Sequence, residues 1–173
     1  MNSVERKIRI EEMLMKSSKA IKGQELAQDF GVTRQVIVKD ISIMRAEGKN
    51  IIATPEGYII PVPDKNLVKR IVAFYHKSEA MEEELNTIVN LGGVVEEVII
   101  EHAVYGEIRG MLMIKNKEDV RNFIKRFDEF QAEPLSSLTG GIHLHTIAAE
   151  DEETMNTIIW ELKRKNYLLA DEN

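Results

Sequence analysis

Histidine is scarce in this chain of 173 residues, and three of its four copies stand where their side chains can converge. His143 and His145 lie at i and i+2 in the apolar run IHLHTIAA, so both leave the same face of any strand that run forms. His76 closes another β-prone run, VKRIVAFY, and three consecutive carboxylates follow it at Glu82, Glu83 and Glu84. Imidazoles grouped with a carboxylate make a site for a divalent transition metal, and nickel, zinc, iron and manganese all suit such a donor set. The absence of cysteine excludes thiolate ligands, disulfides and cysteine nucleophiles. His102 precedes Ala103-Val104-Tyr105-Gly106-Glu107, a turn able to meet a small ligand.

For His76 to reach the His143 and His145 pair, the strands that bear them must be neighbours in one sheet. The pattern from residue 67 onward predicts this. Val68–Tyr75 reads as a strand, and residues 78–91 as a helix capped by Ser78 and ended at Gly92-Gly93. Residues 94–101 and 105–114 read as two strands joined by a short connection. Lys117–Phe130 follows as a helix with Val120, Phe123, Ile124 and Phe127 on one face. Ile142–Ala149 is the fourth strand, and residues 152–165 are a last helix carrying Met155, Ile158, Ile159 and Leu162. The order β-α-β-β-α-β is that of a ferredoxin-like, split β-α-β domain of the α+β class. It makes the first and last strands antiparallel neighbours, with the end of one beside the start of the other. The same topology is expected to place His102 at the opposite end of the sheet.

The N-terminal third carries different chemistry. Leu26, Ala27 and Phe30 form an apolar stripe at helical spacing, Gly31 permits a sharp turn, and Thr33 suits the N-cap of a second helix. That helix buries Ile37, Ile41 and Met44 and offers Arg34, Gln35, Val38 and Lys39 near its N-terminal end. A recognition helix presents side chains to base edges in the major groove at that end. Two short β-rich runs, residues 50–54 and 58–60, flank Pro55-Glu56-Gly57 and read as the wing of a winged helix. A helix over residues 4–16 is expected to pack behind them through Val4, Ile8, Met13 and Met15. Residues 1–62 thus form a winged helix-turn-helix unit, Pro61-Val62-Pro63-Asp64 marks the boundary, and residues 63–173 form the second domain.

The charge pattern agrees with this division. The whole chain has a formal net charge of −6, which argues against a non-specific nucleic-acid binder. Residues 1–63, however, hold 10 Lys and Arg against 8 Asp and Glu, whereas the remainder holds 13 against 21. Lys19, Lys22, Arg34, Lys39, Arg45 and Lys49 fall on the elements that would face double-stranded DNA, where phosphate contacts fix register. There is no run of eighteen apolar residues and no leader-like segment, so the expectation is a cytoplasmic protein with no membrane partner.

The segments VTRQVIVKDISIMRAEG, IIATPEGYII, HAVYGEI and GGIHLHTI, in this order, resemble the bacterial niacin-responsive transcription repressors. These join an N-terminal winged helix to a C-terminal domain named for three histidines, and the resemblance covers nearly the whole chain. It implies a metal site of His76, Glu84, His143 and His145. It also implies a homodimer, with nicotinic acid as corepressor for genes of NAD synthesis or niacin uptake. A ligand carboxylate could reach the metal or pair with Arg109, and His102, Tyr105 and Arg109 are the candidate ligand contacts. The leading expectation is a repressor that binds palindromic operator DNA in response to a small molecule, and not an enzyme. The alternatives are a repressor that answers to the metal itself, and a metalloenzyme domain joined to a DNA-binding module.

Overall fold

The computed structural model describes residues 1–170, which fall into two compact units, Met1–Pro63 and a second unit beginning at Asp64. In the first unit, helices α1 (Ser3–Lys16), α2 (Gly23–Phe30) and α3 (Arg34–Ala46) precede a hairpin of β1 (Ile52–Thr54) and β2 (Gly57–Ile59). Local signals set each boundary. Asn2 and Glu5 form a capping box at the start of α1. Gly31 takes the left-handed conformation, φ 62°, that ends α2, and Thr33 caps α3 by accepting from the Val36 amide at 3.4 Å. Ile10, Leu14, Leu26, Ile37, Ile41, Met44 and Ile51 close the core.

The inward face of α1 is not the one the sequence suggested. Val4, Ile8 and Met15 are 63, 54 and 69 % exposed, while Arg6, Ile10 and Leu14 point inward, and only Met13 of the expected set packs against the core. The buried residues also recur every four positions, but the first is an arginine. Its burial is possible because Asp40 of α3 meets Arg6 Nε at 2.5 Å. The wing is firmly attached. Ile21 exchanges two backbone hydrogen bonds of 2.9 Å with Tyr58, adding a third strand-like segment to the hairpin. Gly57, at φ +133°, allows that approach, because a Cβ there would lie 2.3 Å from the Ile21 carbonyl oxygen.

The second unit contains β3 (Val68–Tyr75), α4 (Met81–Asn90), β4 (Val94–His102), β5 (Gly106–Ile114), α5 (Lys117–Phe130), β6 (Ile142–Ala149) and α6 (Glu152–Arg164). Ser78 does not cap α4; it opens a 3-10 turn, Ser78–Ala80, that leads into the helix. The sheet is fully antiparallel in the order β3-β6-β4-β5. The split β-α-β of the sequence reading is present, with β3 and β4 parallel and the last strand filling the gap between them. Phe74, Ile147, Leu85, Ile88, Met155, Ile158 and Leu162 pack strands and helices into one core. A backbone bond from the Tyr75 amide to the Tyr167 carbonyl, 2.9 Å, ties the chain after α6 to the free edge of β3.

This order overturns one placement. Because β3 and β4 run parallel, both end where β6 begins, and Val98 pairs with His145 and Ile99 with Leu144. His102 therefore lies at the same end of the sheet as His76, not the opposite one.

Candidate metal centre and effector cavity

Register sets the centre. Phe74 pairs with His143 and Val72 with His145, so Val72, Phe74, His143 and His145 share the helix-bearing face, with His76 two residues beyond Phe74. Helix α4 then brings Glu84, fully buried, against all three imidazoles. His145 Nε2 lies 2.9 Å from Glu84 Oε1 and His143 Nε2 lies 3.5 Å from Oε2, while His76 Nε2 makes a short contact with Oε2. The ligand atoms of His76, Glu84 and His143 all fall within 4.8 Å of one another. Phe74 stacks on His143 at 5.4 Å and meets His145 edge-on at 5.1 Å, fixing both rings.

The backbone decides which nitrogen of each ring faces inward. Nδ1 of His76 bonds the Lys77 carbonyl at 2.8 Å, and Nδ1 of His143 the Gly141 carbonyl at 2.9 Å. Nδ1 of His145 bonds the Glu97 carbonyl at 2.9 Å. A carbonyl oxygen only accepts, so each Nδ1 donates and each neutral ring turns an Nε2 lone pair toward Glu84. Lone pairs then face a carboxylate, and Glu84 Oε1 has no hydrogen-bond partner although it is buried. Such a cluster is stable only with protons or a cation among its donors. When the imidazoles instead carry protons on Nε2, burial still works against ionisation of Glu84, but the charge on His145 and hydrogen bonds from His143, His145 and His76 outweigh it and hold the carboxyl well below its ordinary range. Burial likewise opposes a charge on His76, yet Glu84 prevails and raises that imidazole's pKa.

Glycines fit the backbone to this task. A Cβ on Gly141, at φ +99°, would meet the His76 carbonyl oxygen at 2.5 Å. Glycine at this position lets β6 start against the end of β3 while its own carbonyl holds His143.

Next to the cluster is a cavity of about 170 Å³. The four clustered residues lie at one end, Val98 and Leu112 form a floor on the sheet, and Phe123 and Phe127 of α5 form a wall. These two phenylalanines meet edge-on at 5.0 Å. Leu135 and Ser136, in the 3-10 segment Leu135–Thr139, also line it, together with Met81 and Leu85 of α4 and the segment Glu133-Pro134. Sequence reading had assigned Phe123 and Phe127 to a helix face but missed Gly110 and Ser136. A glycine inside a β-prone run was the available signal at the first position.

The remaining expected ligand contacts are elsewhere. Arg109 alternates with cavity-lining Gly110, so it leaves the other face of the sheet, where Glu97 at 2.8 Å and Glu107 at 3.0 Å engage it. His102 Nδ1 accepts from the amides of Val104 and Tyr105 at 3.1 and 3.3 Å, capping its own turn, and Tyr105 lies against its ring, outside the cavity. In the first unit Lys22, Thr33, Arg34, Gln35 and Lys39 are exposed and Val38 is half-buried. Lys22 starts α2 and the others lie in or beside the first turns of α3.

A winged helix-turn-helix joined to an effector-type domain defines a DNA-binding regulator. Comparison with known proteins agrees: an HTH domain model matches residues 6–59 and a 3H domain model matches residues 69–171. The chain is 45% identical over 159 residues to the probable transcription repressor NiaR of Thermotoga maritima, covering 92% of this chain and 90% of that one. It is 38% identical over 161 residues to the transcription repressor NadR of Bacillus subtilis, covering 91% and 89%. The chain belongs to the family of niacin-responsive transcription repressors. Among the described residues no helix is long and apolar enough to cross a membrane.

Proposed function

We propose that this repressor acts in the cytoplasm as a metal-loaded homodimer, with nicotinic acid as corepressor, on palindromic operators of genes for NAD synthesis or niacin uptake. The convergence of His76, Glu84, His143 and His145 on a cavity the size of one aromatic ring carries this reading. Buried imidazoles with inward lone pairs and an orphaned carboxylate oxygen suit a divalent transition metal, with nickel, zinc, iron and manganese as candidates. The apolar walls beside them suit a small ring whose carboxylate turns to the charged end. Lys22, Thr33, Arg34, Gln35, Val38 and Lys39 would contact the operator, each protomer of the dimer reading one half-site.

Corepression requires that the effector bind the DNA-competent state more tightly than the alternative. Coupling of about 1–3 kcal/mol, usual for allosteric proteins, changes operator affinity roughly 5- to 150-fold. The test is a mobility shift on the upstream region of the regulated gene with metal-loaded protein, titrated with nicotinic acid and separately with nicotinamide. Tightening within that range by the acid alone supports the proposal. Operator binding indifferent to both compounds but responsive to added metal would replace it with a metal-responsive repressor.

A further inference from the structure

We propose that Gly110 and Ser136 determine which ring the effector cavity accepts: Gly110 limits its size, and Ser136 donates a hydrogen bond to an acceptor atom of the ring. This rests on the reading that a small aromatic acid binds beside the histidine cluster.

The volume sets the class. An apolar cavity of about 150 Å³ holds one benzene ring. At about 170 Å³, this one seats a six-membered ring with a single small substituent and is too small to take in a fused bicyclic acid whole. The floor depends on Gly110. A glycine within a strand weakens it and often marks a site where another group approaches closely. Here a Cβ would stand 3.2 Å from Val98 Cγ1 and 3.5 Å from Leu135 Cδ1, in the gap between sheet and 3-10 segment. Any side chain at this position takes space from the ring.

Polarity sets the orientation. The metal-loaded cluster takes the anionic substituent, the exposed Glu133 carboxylate repels it, and Val98, Leu112, Phe123 and Phe127 offer the ring faces nothing polar. Ser136 is the cavity's one hydroxyl-bearing residue, and its hydroxyl makes no hydrogen bond to any described residue. A hydroxyl can donate one bond, so an aromatic nitrogen reaching it is paired, whereas a C–H in its place leaves the hydroxyl unsatisfied. The preferred ligand is a monocyclic heteroaromatic carboxylate with a ring acceptor directed away from the cluster.

Calorimetric titration of the cobalt-loaded full chain tests this with three probes: nicotinate, benzoate and 2-naphthoate. Wild type is expected to bind nicotinate roughly tenfold more tightly than benzoate, the scale of one net hydrogen bond, and not to bind 2-naphthoate. Ser136→Ala removes the preference, weakening nicotinate while benzoate stays the same or tightens slightly. Gly110→Val abolishes binding of both single-ring acids and Gly110→Ala weakens both, while an intact cobalt visible spectrum reports a folded cluster in each variant. An unchanged nicotinate-to-benzoate ratio in Ser136→Ala, or wild-type affinities in Gly110→Val, overturns this inference and leaves the proposed function standing. Wild-type protein that binds none of the three acids overturns both.

Discussion

Each unit buries a charged cluster, and the two are built in opposite ways. In the winged unit Arg6 Nε meets Asp40 Oδ2 at 2.5 Å and Ser3 Oγ donates to Oδ1 at 3.2 Å, so both carboxylate oxygens have donors. In the second unit three imidazoles turn acceptors toward a fully buried glutamate, one oxygen of which has no partner. The first cluster is closed, because its charges satisfy each other and hold α1 on α3. The second is open, because groups that only accept can satisfy one another only around shared protons or a cation. A buried charge alone therefore does not mark a functional site; a buried charge whose neighbours are all acceptors marks a candidate cation site.

The closed cluster gives the largest effect. Asp40→Ala leaves a guanidinium buried without its counter-charge and is expected to destabilise the winged unit by about 3–5 kcal/mol. Urea denaturation of the full chain reports it as an early transition of that unit, with operator binding lost alongside. Replacing both partners, Arg6→Met with Asp40→Leu, returns stability close to wild type, because no unpaired charge remains. A single substitution costing under about 1 kcal/mol would place Arg6 with ordinary surface pairs and remove one side of the comparison.

The open cluster responds differently. Glu84→Gln is expected to lower affinity for a divalent metal by at least about 100-fold, measured by competition with a chelator. The metal-free variant nevertheless remains folded, since the glutamine amide can donate to an imidazole Nε2. The pH dependence separates the two proteins. The depressed carboxyl of Glu84 contributes stability above its unfolded-state pKa that is lost as pH falls through the folded one, so metal-free wild type loses stability on that acid limb. Metal-free Glu84→Gln lacks this component. A variant that binds metal like wild type would show that the three imidazoles suffice, and Glu84 would then belong with Asp40 as a structural partner.

The same contrast explains what the sequence could and could not convey. His143 and His145 at i and i+2, with His76 closing the neighbouring strand, need only strand periodicity and topology to converge, and both are written in side-chain types. The carbonyls of Lys77, Gly141 and Glu97 that orient the rings carry no sequence identity, so their roles appear only in three dimensions. Arg6 and Asp40 are thirty-four positions apart, and no periodicity links them. An inward arginine also hid the buried stripe of α1 and made Val4, Ile8 and Met15 look like core. His102 was misplaced for a topological reason: a helical crossover keeps β3 and β4 parallel, so their ends coincide.

The smallest effect tests whether the open cluster leans on a closed one. The pairing of β4 with β6 shifts by a bulge between Val95 and Glu97, and the Glu97 carbonyl receives His145 Nδ1 at 2.9 Å. On the other face the Glu97 carboxylate accepts from Thr146 Oγ1 at 2.7 Å and Arg109 Nη1 at 2.8 Å. One residue thus aims a candidate ligand with its backbone while its side chain is held by two donors, which makes Glu97 a positioning residue. Glu97→Ala frees that peptide to tilt and should weaken metal binding by roughly tenfold, the usual scale for a partner one bond removed from a metal. A shifted cobalt visible band should accompany it, because the ring would approach at a different angle. Glu97→Gln keeps an acceptor oxygen for Thr146 and Arg109, so it should restore both affinity and spectrum. Equal affinity and an unshifted band in Glu97→Ala would mean that the strand backbone alone aims His145, and the two clusters would then be independent in design as well as in charge.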